Sequence, residues 1–173
     1  MAELAATVGL KTPSLYSHFS GKDEIVEAAV FREIAHCRTA LETCAAGQQG
    51  TNLARLHGLF RFQLAYFQRS GCPSFWKNIM LIPDETVRAR CAQELQRQNR
   101  WFAELLEKLF AAGQAAGEFA AADTGTERLY YSMLLRIVDV QLLAPSYLSL
   151  EQYADDAWTA FVRCLAAAPQ NKG

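Results

Sequence analysis

Thr12, Ser14, Tyr16, Ser17 and His18 crowd into one short stretch, and Lys22 follows a turn later. All are small or hydrogen-bonding, the types that meet base edges and phosphates in a DNA groove. Lys22 falls in the first turn of a following helix, where the macrodipole favours an acid over a cation. A lysine there makes sense if a phosphate rests on the exposed N–H groups and the ammonium adds to the grip. An ordinary solvated lysine at a loop end is the plainer alternative.

The elements that must position these side chains are legible on either side. Leu4, Ala5 and Val8 share one face of a first short helix, and Gly9 can take the positive φ that ends it. Thr12 is a good N-cap, and Pro13 sits where its missing N–H costs nothing. Leu15 and Phe19, four apart, give the second helix a buried face, and Leu10 plugs the angle between the two. Ser20-Gly-Lys-Asp23 reads as a capping box for the next helix. Two short helices joined in this way make a helix-turn-helix, whose second helix enters the major groove.

The run Gly9-Leu-Lys-Thr-Pro-Ser-Leu-Tyr-Ser-His-Phe-Ser-Gly-Lys22 resembles the DNA-binding signature of the tetracycline-repressor (TetR/AcrR) family of bacterial regulators. The resemblance implies that Thr12, Pro13, Ser14 and Ser17 face base edges. It implies that Tyr16, His18 and Lys22 hold phosphates, with Lys11 near enough to help. Family members carry a further helix before the one that begins here, so the expectation is a head lacking its first helix.

Composition sets the broad class. The 173 residues suffice to bury a substantial core, and half of them are hydrophobic, yet no run of about 18 apolar residues occurs. Met1-Ala-Glu is not the start of a basic, apolar signal sequence, so a cytoplasmic protein is expected. The net charge of −1 offers no bulk basic field, and any DNA affinity must come from a local patch and from dimerisation. The five cysteines are odd in number and scattered, with no CxxC pair, which argues against a disulfide framework or a zinc site. His18, His36 and His57 have no neighbouring metal ligands or nucleophile pattern, and no Gly-rich phosphate loop follows a strand. The expectation is neither an enzyme nor a cofactor or metal protein.

The rest of the chain reads as helices, giving an all-α protein: a truncated helix-turn-helix head with its connecting helix over 1–46, and a helical bundle over 47–173. A long amphipathic helix from Lys22 to about Ala46 carries the stripe Val26, Val30, Ile34, Cys37, Leu41, Cys44. Thr51 can cap a helix from Asn52 to Arg69 that is apolar on more than one side and therefore central. A short helix is expected over Pro73–Ile82. A long one follows Pro83, with Asp84 and Glu85 suited to its first turn, ended by Gly113 and Gly117. A nearly wholly apolar helix at 124–143 and a last one at 149–167, capped by Ser149, complete the chain. Arg136 and Asp139, one turn apart on the apolar helix, are expected to be buried in the structure or an interface.

By resemblance, the last two helices pair with their copies in a homodimer, and two recognition helices meet a pseudo-palindromic operator on double-stranded DNA. A small-molecule inducer held among the central helices would shift the connecting helix and release the operator, making the chain a repressor. Phe60, Gln63, Phe67, Trp76, Met80, Trp101 and Phe102 are the candidate ligand-binding residues, aromatic walls suited to an apolar or aromatic molecule. For each of them plain core packing is the competing role. The rival for the whole chain is a headless small-molecule-binding or dimer-forming protein that no longer binds DNA.

Overall fold

The computed structural model describes residues 19, 21–68, 79–119, 124–143 and 149–165. Among them are five α-helices, one 3-10 turn and no strand. These are α1 Lys22–Gly47, α2 Asn52–Phe67, the turn Ile79–Leu81, α3 Glu85–Ala115, α4 Thr124–Leu143 and α5 Leu150–Leu165. The helix-turn-helix expected over Leu4–Phe19 lies outside the described residues save for Phe19, as does most of the short helix expected over 73–82.

Local chemistry explains where the helices start. Thr51 Oγ1 accepts the Ala54 N–H at 3.1 Å, Asp84 Oδ1 the Val87 N–H at 2.8 Å, and Ser149 Oγ the Gln152 N–H at 3.0 Å. Each such cap stabilises its helix by about 0.5–2 kcal/mol. The start of α1 differs: Gly21 precedes it in an extended conformation, Asp23 and Glu24 occupy its first turn, and Ser20, the expected capping residue, lies outside the described residues.

At the far end of α3 the expectation needs correction. Gly117 alone ends the helix, with φ +70°, while Glu118 N–H bonds to Gly113 O at 2.9 Å and Gly117 N–H to Gln114 O at 3.0 Å. That pair of bonds is a Schellman termination. Gly113 stays inside the helix and is buried because the Phe119 ring folds back onto it; a Cβ at Gly113 would overlap that ring.

Packing makes α2 the central element, in contact with α1, α3 and α4, while α4 pairs with α5. Tyr130 of α4 is wholly buried, ringed by Phe60, Phe102, Phe110, Trp158 and Phe161 at centroid distances between 5.6 and 6.5 Å. Its hydroxyl donates to Leu56 O at 3.1 Å, so the polar atom is satisfied. Glu118 closes the distal end by accepting from Asn52 Nδ2 and the Leu53 N–H, both at 2.9 Å. Arg61 ties α2 to α5 through Glu151 and, at 3.1 Å, Asp155.

The outer face of α4 leaves Leu129 and Leu135 exposed at 42% and 51%. Arg136 shares that exposure, against the expectation of burial within the chain, because Tyr130, Leu134 and Ile137 are the residues α4 turns inward. The Asp139 side chain lies outside the described residues. No described helix is long and apolar enough to cross a membrane.

Candidate functional site

Two regions hold the residues of interest, joined by α1. At the first, Lys22 is exposed at the head of α1, directly after the extended Gly21. Lys11, Thr12, Pro13, Ser14, Tyr16, Ser17 and His18 lie outside the described residues.

Behind Lys22, α1 is fastened to the body. Arg90 of α3 grips Glu27 with two bonds, Nε to Oε1 at 2.5 Å and Nη2 to Oε2 at 2.6 Å. The Arg90 hydrogen bond holds the Glu27 carboxyl below its usual pKa against the opposing effect of burial. Tyr66 of α2 donates to Glu33 Oε1 at 2.6 Å. Beneath these polar clamps Val30, Ile34, Ile79, Ile82, Val87 and Cys91 form a small apolar cluster of their own. A helix held on two sides in this way moves only if α2 or α3 moves.

The second region lies one layer deeper. Phe60 and Phe102 are fully packed and share Tyr130 as neighbour, the core role that competes with ligand binding. Trp101 is half-buried and turned to α1, where the Arg38 guanidinium sits 4.8 Å above its ring. Phe67 is half-buried and packs edge-on to Tyr66 at 6.1 Å. Trp76 and the Met80 side chain lie outside the described residues.

Gln63 is the informative member. It is 7% exposed, and its Oε1 has no hydrogen-bond partner. Gln98 of α3, which the sequence reading passed over, is in the same condition at 6% exposed. A buried acceptor left without a donor costs about 1–3 kcal/mol. The signal for Gln98 was present as a polar residue between Leu95 and Phe102, at the place where an apolar stripe should continue. Nearby, Tyr131 donates to Asn99 Oδ1 at 2.8 Å, and burial raises the Tyr131 pKa. Among the described residues no group of three or more His, Cys, Asp or Glu is placed to hold a metal. Cys37, Cys44, Cys91 and Cys164 form no disulfide, and burial pushes the Cys91 pKa up.

Residues 1–29 match the model of a family described as bacterial regulatory proteins, tetR family. A search of curated proteins returns no significant match. Among solved structures, the chain is similar to a bacterial regulatory protein in the tetR family from Rhodococcus RHA1, with a TM-score of 0.68. That likeness spans 96% of this chain and 85% of the other at 16% identity, a likeness of fold.

Proposed function

Taking as premise that the chain carries a tetR-family DNA-binding module at its start and the fold of that family beyond it, we propose a ligand-responsive transcriptional regulator, acting as a repressor. The observation that carries this reading is α1. The family match covers residues 1–29 and so includes its first turns, and the same unbroken helix is clamped to the body at Glu27 and Glu33. A single rigid element therefore joins the DNA-facing end to the layer containing Gln63 and Gln98.

In this reading Thr12, Pro13, Ser14 and Ser17 meet base edges, and Lys11, Tyr16, His18 and Lys22 hold phosphates. Lys22, exposed at the head of α1, is placed to meet a phosphate at that helix N-terminus. Two copies pair through α4 and α5, and the exposed Leu129 and Leu135 favour that face. The boundary between head and body falls near Ala46. An inducer in the central layer releases the operator by binding the DNA-incompetent arrangement more tightly. Operator binding also separates this regulator from a headless ligand-binding protein, which would show none.

The test is the salt dependence of DNA affinity for Lys22→Ala. Removing one phosphate contact should weaken binding to all duplexes alike and lower the slope of log K against log salt by about one. Thr12→Ala or Ser17→Ala should instead change which operator is preferred. An unchanged slope for Lys22→Ala removes its assigned role.

A further inference from the structure

The buried core of the body is divided, and on α3 an amide marks the division, while on α2 Gln63 lies within the larger cluster, between Phe60 and Tyr66. On α3, Cys91 with its neighbour Leu95 belongs to the small cluster under the clamps, and Phe102 to the large one around Tyr130. Gln98 stands between them. On α1 the same boundary runs between Ile34 and Cys37. The contacts Glu27–Arg90 and Arg38–Trp101 set α1 and α3 in register, and Glu33–Tyr66 sets α2 against α1. That register brings Gln63 of α2 to the level of Gln98, within about one helical turn. Two acceptors, each more than nine-tenths buried and each without a donor, thus fall in one layer of facing helices.

The surroundings restrict what would satisfy them. Phe60, Phe67 and Phe102 supply aromatic surface near this level. Gln63 and Gln98 are the buried polar residues among those described, and the buried Arg55 Nε lies about two turns away on α2. At this level a charged ligand would therefore lose its hydration without a counter-charge beside it. We propose that Gln63 and Gln98 form the acceptor pair of the ligand layer, and that the ligand is a neutral aromatic molecule bearing N–H or O–H donors. This rests on the ligand-responsive reading above and narrows it: a purely apolar ligand would leave both oxygens unmet.

Indole and benzofuran are suitable probes, since they share a shape and differ in having N–H or a ring oxygen. Calorimetric titration of the full chain should find indole bound at least about fivefold more tightly, the effect of filling one orphaned acceptor. In Gln63→Met and Gln98→Met, which keep volume but remove the oxygen, the two affinities should converge while the melting temperature holds or rises. Equal affinities in the unmodified chain, or a preference for benzofuran, overturn the donor claim and leave a ligand layer standing. Binding of neither at about 1 mM overturns the claim of a donor-bearing aromatic ligand at this pair and leaves the ligand-responsive reading to its own test. Marked destabilisation in both methionine variants, without any indole preference, shows the glutamines bonded to one another and also overturns it.

Discussion

His57 shows how a single residue can report on the packing between α2 and α5. Its ring stacks on Trp158 with centroids 4.6 Å apart and planes 29° from parallel. Burial, and next the Arg61 charge, hold its pKa below the ordinary 6.5, while Asp155 pulls the other way. Protonation is therefore easier in the unfolded chain, so this stability is present above about pH 6.5 and is lost as pH falls toward the lower folded value. The melting temperature should drop between about pH 7 and 5 more steeply than in His57→Phe, which stacks without titrating. Parallel pH profiles for the two proteins would show that packing against Trp158 does not desolvate the imidazole.

At the scale of the helices, the proposed regulation would need a coupling between α2 and α1, and one bond is placed to carry it. Tyr66 lies next to Phe67 and one turn from Gln63 on α2, and its hydroxyl bonds Glu33 on α1. A ligand that shifts this stretch of α2 therefore acts on α1 through that bond. In Tyr66→Phe, indole should still bind, but its effect on DNA affinity should shrink by several-fold, against the 5–150-fold range typical of coupled sites. Undiminished coupling, measured as DNA affinity with and without indole, would place transmission elsewhere, with the Glu27–Arg90 clamp the next element to break.

What the chain's local signals foretold at this scale, and what they did not, divides along physical lines. The starts of α2, α3 and α5 were readable because Thr51, Asp84 and Ser149 act on amides three residues away. The stripe of α1 from Val30 to Leu41 was readable because helical period alone selects it. Gly113 misled because its reason for being glycine, the Phe119 ring, depends on how the chain returns after the helix ends. Gln98 and the Glu118 bonds to Asn52 and Leu53 were hidden for the same cause: each depends on which helix faces which, and at what level. The residues proposed to contact DNA rest on the motif, within the stretch that the family model matches.

For the whole molecule, the proposed two-fold pairing is what would make a DNA binder of a weakly acidic chain. With a net charge of −1 a single copy has little general attraction for the duplex, and two heads held at fixed spacing multiply a modest local affinity. The exposed leucines of α4 are the natural place to break the pairing. Leu135→Glu should shift the sedimentation profile from dimer to monomer and leave the helical content unchanged, since that side chain is half out of the single-chain core. A dimer that persists at micromolar concentration would move the interface off this face.

The most direct test of a symmetric, DNA-binding regulator is selection of bound sequences from a pool of randomised duplexes by the full chain. The expected product is a pseudo-palindrome whose half-sites lie roughly one helical turn of DNA or somewhat more apart, with affinity that Lys22→Ala lowers uniformly. Recovery of no enriched sequence, or of one without two-fold symmetry, would contradict the reading of this chain as a dimeric operator-binding repressor.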